Sequence, residues 1–190
     1  MAKRHIFLTG FMGAGKSKIG KHLAELLQWP FVDTDKEIEK LTCKTVRQIF
    51  EQDGEVVFRE LEKEMIRKLA LQPQAMIIAL GGGALNNPQS FELVHKSGWV
   101  VYLKSSPKAI LQRVAHSTKR PLLDVDVTDE ERKRAILLQR ISELLKKREN
   151  IYLQANIVLD RDGLEAEQVA EKLLEQIKLF WKTQDGTNRS

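Results

Sequence analysis

The sequence predicts an α/β fold of three layers, a five-stranded parallel sheet flanked by helices, with a short lid. Three features carry that expectation. Five short apolar runs are spread along the 190 residues, helical patterns fill the intervals between them, and neither an internal repeat nor a Gly/Ser/Pro-rich linker divides the chain. Strands that alternate with helices and read as continuous apolar runs belong to parallel sheets covered on both faces, whose ligands sit at the carboxyl ends of the strands. One domain over residues 1–182 and a polar tail over 183–190 are therefore expected.

In chain order, residues 6–9 form the first strand, and Ile19, Leu23, Leu26 and Leu27 lay one apolar stripe on the helix that follows. Residues 31–33 make the second strand. Thr45 with Gln48 fits a capping box at a helix start, and Phe58, Leu61, Met65, Ile66 and Leu69 recur at the three-and-four spacing of a core-facing helix. Residues 76–80 and 99–103 give the third and fourth strands, and Ser106-Pro107 puts a proline in a first helical turn. Thr128 with Glu131 fits a second capping box. Residues 157–159 supply the fifth strand, and Val169, Leu173, Ile177 and Phe180 the last amphipathic helix, beyond which the tail is expected to fray.

Composition narrows the function classes. With 42% apolar and 30% charged residues the chain is an ordinary globular one, and its longest apolar runs fall far short of the roughly 20 residues a helix needs to cross a bilayer. The basic start Met1–His5 is followed by too short an apolar stretch for a secretory signal, so a cytoplasmic protein is expected. Cys43 is the single cysteine and has no partner for a disulfide or zinc site, while His5, His22, His95 and His116 form no cluster. The net charge of +5 admits a nucleic-acid partner, but acidic residues are interspersed and no nucleic-acid-binding motif occurs, which favours anionic small ligands. A monomer is expected, without membrane or nucleic-acid partners.

Chemistry concentrates first in Gly10-Phe11-Met12-Gly13-Ala14-Gly15-Lys16-Ser17, a Walker A pattern lying between a short strand and an amphipathic helix, as a P-loop must. Glycines let backbone N–H groups wrap phosphate oxygens, the helix N-terminus adds a favourable dipole, Lys16 offsets β/γ charge, and the Ser17 hydroxyl is placed for Mg²⁺. Gly13, Ala14, Gly15, Lys16, Ser17 and Lys18 are the expected ATP contacts. No acidic residue ends the run 76–80, where a Walker B aspartate normally sits, and no base-recognition signature of a GTPase occurs. Asp33-Thr34-Asp35 is the candidate source of carboxylates: in extended chain, residues two apart face the same side. One carboxylate then serves Mg²⁺, directly or through water, and the other orients or deprotonates an attacking hydroxyl. Taken by itself the triplet reads better as a solvated turn or a helix N-cap before Lys36. Residues 116–126 interrupt two helical patterns and carry Lys119 and Arg120, which suits a lid closing over ATP.

The loop G-F-M-G-A-G-K-S, F-V-D-T-D at 31–35, F-R-E-L-E at 58–62, G-G-G at 81–83, R-P-L-L at 120–123 and R-x-x-x-Y at 148–152 together resemble the ordered motif set of the shikimate kinase family. The resemblance implies that Asp35, Arg59, Arg148 and the backbone of Gly81, Gly82 and Gly83 bind shikimate, the two arginines gripping its carboxylate. It implies too that Arg120 contacts phosphate and that Arg113 lies near or over the adenine, with Lys16, Asp35 and Arg120 catalytic and Asp33 and Ser17 on the metal side. Without it, Arg59 reads as a surface helix arginine pairing with Glu55 or Glu62, and Arg148 as a cation near a helix C-terminus. Two departures stand out. Asn150 occupies a position where the family often has proline, and Ala79 and Leu80 precede the glycines where a small hydroxyl residue is frequent. The rival readings are a gluconate-like sugar-acid kinase, a nucleotide kinase, and a non-catalytic nucleotide-binding or nucleic-acid module.

Overall fold

The structure, a computed structural model, describes residues 5–114 and 129–187. Five parallel strands form one sheet in the order β2-β3-β1-β4-β5. They are β1 (His5–Thr9), β2 (Phe31–Asp33), β3 (Ile77–Ala79), β4 (Gly98–Lys104) and β5 (Ile157–Asp160), within a residue or two of the apolar runs in the sequence. Helices fill the intervals: α1 (Lys16–Leu27), α2 (Thr34–Thr42), α3 (Val46–Gln52), α4 (Glu55–Ala70), α5 (Pro88–Ser97), α6 (Pro107–Val114), α7 (Glu130–Tyr152) and α8 (Ala166–Thr187). Among the described residues no helix is long and apolar enough to cross a membrane.

Every residue of β1 is buried, as its central place between β3 and β4 requires. On one face Ile6 and Leu8 pack with Ile19 and Leu23 of α1 and Val169, Leu173 and Ile177 of α8. On the other, Phe7 packs with Ile78, Val100 and the α4 side chains Phe58, Met65, Ile66 and Leu69. A third cluster joins Phe11 and Met12 of the glycine-rich loop to Ile110 of α6 and to Leu137, Ile141 and Tyr152 of α7. That cluster carries the packing of α6 and α7 directly into the loop after β1.

Helix starts show the local chemistry at work. Thr45 and Gln48 form both halves of a capping box on α3, and Ser106 accepts from Ala109 N at 3.2 Å above the proline that opens α6. At α7 the cap is Asp129, which accepts from Arg132 N at 2.8 Å. The Thr128 cap is therefore displaced by one residue, since a carboxylate adjacent to the hydroxyl offers the stronger acceptor; Thr128 itself lies outside the described residues. The last helix continues through Thr187, into the segment expected to fray. The lid expected at 116–126, Arg120 included, lies outside the described residues.

Candidate active site

The loop between β1 and α1 turns through left-handed conformations at Gly13 (φ 78°) and Gly15 (φ 84°), where an L side chain is strained. Space also forbids one: a Cβ on Gly15 would collide with the guanidinium of Arg161, and one on Gly13 with Val114. Helix α1 then starts at Lys16 with no side-chain cap and no acidic residue in its first turn, which leaves its N-terminal field to an external anion. The Lys16 ammonium lies back along the loop, donating to Gly10 O at 2.8 Å and Phe11 O at 3.1 Å. Two arginines grip the loop from outside: Arg113 of α6 donates to Gly13 O at 2.7 Å, and Arg161, just after β5, donates to Ala14 O at 2.9 Å. Lys18 lines the same cleft with its ammonium 3.4 Å from Glu167.

Asp33 answers the missing acid of the third strand. The register pairs it with Ala79, so the carboxylate absent from the end of β3 is supplied by the neighbouring strand. Its two oxygens divide the work. Oδ2 accepts from the Ser17 hydroxyl, while Oδ1 accepts from Lys36 N at 3.3 Å and caps α2. The capping role and the role beside Ser17 are both realised by one side chain. The expected geometry of the D-x-D triplet needs correction, however. Asp33 is the last residue of β2 and Thr34 the first of α2, so Asp35 projects from a helical first turn and not from the same strand face. Thr34 between them is fully buried; its hydroxyl donates to Ala79 O at 3.2 Å and accepts from Gly81 N at 3.0 Å, tying the acid pair to the glycine turn.

Beyond Asp35 opens a second cavity, about 240 Å³ in volume, with Asp35, Arg59, Glu62, Gly81–Gly83 and Arg148 on its polar side and Met12, Val46, Phe50 and Phe58 on its apolar side. Arg59 is held from beneath. It donates to Glu62 at 2.7 Å and to Glu55 at 3.0 Å, and its guanidinium lies 5.3 Å from the centre of the Phe58 ring. The helix-surface pairing and the pocket role therefore coexist. Arg148 donates to Gly82 O at 3.3 Å and sits 5.9 Å from the centre of the Phe11 ring. Gly82 O also accepts from the Tyr152 hydroxyl, whose pKa burial pushes up to about 12, so it stays a donor at neutral pH. Ser17, Asp33 and Asp35 line both cavities, and they are where the anion cleft and the second pocket meet.

The shikimate kinase family model matches residues 12–178. The chain belongs to the shikimate kinase family. A shikimate kinase of Chlorobaculum tepidum is 45% identical to it over 177 residues, covering 91% of this chain and 90% of that protein. Among solved structures, a shikimate kinase from Acinetobacter baumannii in complex with shikimate superposes with a TM-score of 0.84 at 36% identity, covering 93% of each chain. One from Bacteroides thetaiotaomicron gives 0.81 at 34% identity, covering 92% of this chain and 98% of that one. Both the family and the α/β P-loop architecture expected from the motifs thus hold.

Two residues lining these cavities are not among the expected site residues, and Glu62 entered only as a surface partner of Arg59. Arg161 has no motif around it. Glu62 did leave a signal: it interrupts the apolar stripe of α4, three residues after Arg59 and four before Ile66, and an acid on that stripe is carried to the buried face of the helix. It is only 3% exposed, and burial pushes its carboxyl from 4.5 up to about 7 against the downward pull of Arg59, with Asp35 adding to the rise. A carboxyl whose pKa is raised in the folded state gives stability that is full below the unfolded value and lost as pH rises through the folded one. The ligand-free protein should therefore lose stability between pH 4.5 and 7, by about 3 kcal/mol for a shift of this size. Denaturant midpoints measured against pH should show that loss reduced in Glu62→Gln; equal slopes in the two proteins would deny Glu62 the buried charge.

Proposed function

We propose that the chain transfers the γ-phosphoryl group of ATP to the 3-hydroxyl of shikimate, giving shikimate 3-phosphate and ADP, on the route to chorismate and the aromatic amino acids. The observation that carries this reading is the junction at Ser17, Asp33 and Asp35, where a P-loop cleft for polyphosphate opens onto a pocket suited to a small hydroxy acid. The pocket matches the substrate group by group. Two arginines offer paired donors to a carboxylate, Asp35 offers an acceptor to a hydroxyl, the glycine turn admits close approach of a ring, and Phe50, Phe58 and Val46 cover its apolar face. The chain acts as a cytoplasmic monomer.

In the transfer, the loop amides and the α1 N-terminus bind the phosphates, and Lys16 leaves its loop carbonyls to offset charge on the transferring group. By the family resemblance Arg120, which lies outside the described residues, adds positive charge to the same group, and Arg113 lies beside the nucleotide. Asp35 orients the shikimate hydroxyl in line with the γ-phosphorus and takes its proton. Ser17 and Asp33 offer hard oxygen donors side by side, too few for a resident metal and well suited to Mg²⁺ arriving on the nucleotide. When bound, Mg²⁺ neutralises β- and γ-oxygen charge.

A coupled assay of ADP release tests the assignment: turnover with shikimate, and none with gluconate or AMP, is expected. Turnover with gluconate alone would favour a sugar-acid kinase, and no turnover together with tight, salt-sensitive nucleic-acid binding would favour a non-catalytic module. Arg59→Ala and Arg148→Ala should each weaken shikimate binding by about 1.5–3 kcal/mol, the scale of hydrogen bonds to charged groups, with ADP binding nearly unchanged. Calorimetry separates the two ligands. Shikimate affinity unaltered in both variants would return these arginines to structural roles.

A further inference from the structure

Arg161 is an unusual residue to bury. It follows β5, its backbone N–H donates to Lys104 O at 3.0 Å, and the residue is 8% exposed on the wall of the phosphate cleft. One guanidinium nitrogen reaches Ala14 O at 2.9 Å; the other reaches Leu164 O at 3.1 Å in the turn that leads to α8. The fork thus joins the P-loop to the β5–α8 turn. We infer that Arg161 is a positioning residue for phosphoryl transfer, which pins the Ala14 carbonyl outward and so fixes the Gly15 N–H toward the bound phosphates.

The step from carbonyl to amide follows from peptide geometry. The C=O of Ala14 and the N–H of Gly15 belong to one planar trans unit and point in opposite directions, so holding one sets the other. Gly15 is the residue just before α1, where the loop amides converge on an anion. The same device operates one unit earlier, where Arg113 holds Gly13 O at 2.7 Å. Two consecutive loop carbonyls are therefore clamped by guanidinium groups from two separate elements.

A brace alone does not need charge. A neutral donor would satisfy Ala14 O without burying a cation beside a second one, and burial, with the proximity of Arg161, lowers the pKa of Arg113 while Asp162 pulls it back up. Each arginine, moreover, keeps one buried nitrogen without a hydrogen-bond partner among the described residues, Nε of Arg161 and Nη2 of Arg113. Asp162, 3.9 Å from Arg113, and Glu165 offset part of the charge repulsion, and a polyanion entering the cleft relieves the rest together with the incomplete hydrogen bonding. Arg161 accordingly serves nucleotide binding twice, by direction of an amide and by charge.

This inference rests on the reading of the cleft as the ATP site, and the two can fail separately. If the wild-type protein does not bind ADP, that reading falls before any variant is considered. Given wild-type binding, Arg161→Gln keeps one amide donor without charge, and Arg161→Lys keeps charge without the fork. For both variants the affinity for ADP should fall about tenfold, and kcat/KM for ATP about 10- to 100-fold, because a misdirected amide also misplaces the transferring group. Shikimate affinity measured without nucleotide should stay within about twofold, since Arg161 lines only the phosphate cleft. Wild-type ADP affinity and kcat/KM in Arg161→Gln would overturn the inference. So would full recovery in Arg161→Lys, which would reduce the residue to a point charge, or a parallel loss of shikimate affinity and thermal stability, which would make it a general structural residue.

Discussion

Lys16→Met should bring turnover close to zero, with kcat lowered about 10²- to 10³-fold or more, the scale found when one preorganised donor to a developing charge is removed. Methionine is nearly as long and as flexible as lysine, so the loop keeps its space while the charge is lost. The ammonium is held by two loop carbonyls, Gly10 O and Phe11 O. Exchanging those neutral acceptors for phosphate oxygens is favourable because donor and acceptor then both carry charge, and Coulomb attraction adds to the hydrogen bond. The gain grows as charge builds on the transferring group, so the effect should be larger in kcat than in the affinity for ADP. Single-turnover rates together with ADP titrations would show the difference. A variant with near wild-type kcat would remove Lys16 from the phosphate site.

The parts of the molecule legible in the sequence are those set by short-range chemistry. Burial on both faces of the sheet makes β1 an unbroken apolar run, so its position needed no knowledge of the neighbours. The glycines of the P-loop are likewise explicit, because the backbone angles at Gly13 and Gly15 admit little else. What stayed hidden depends on which elements meet. That Asp33 stands opposite Ala79, and so replaces the acid missing from β3, is a consequence of strand register. The contact between Arg161 and Ala14 joins residues at opposite ends of the chain, and nothing local to Asp160-Arg161-Asp162 announces it. Asp35 shows an intermediate case: it lines both cavities, but its placement comes from a helix beginning at Thr34 and not from the extended strand that the triplet suggests.

That geometry sharpens what should separate the two aspartates. Asp33 has both oxygens engaged, by the Ser17 hydroxyl and by the N-cap of α2, on the side of the P-loop. Asp35 stands one helical step further, at the mouth of the pocket holding Arg59 and Arg148, close enough to Gly81 that a Cβ there would lie 2.8 Å from its Oδ1. Asp33→Asn should raise the Mg²⁺ concentration needed for half-maximal activity, since a charge beside the metal-side hydroxyl is lost. Its effect on stability should be small, because asparagine is as good an N-cap as aspartate. Asp35→Asn should leave the Mg²⁺ requirement and ADP affinity nearly intact while lowering kcat about 10²- to 10⁴-fold, the usual contribution of a positioned acid or base. The amide still accepts a hydrogen bond from the shikimate hydroxyl but does not take its proton, so shikimate affinity should change less than kcat. The pair of variants is measured for Mg²⁺ dependence, both ligand affinities and kcat. Identical profiles would abolish the division between a metal-side and an acceptor-side carboxylate, and normal turnover by Asp35→Asn would show that transfer proceeds without a base at this position.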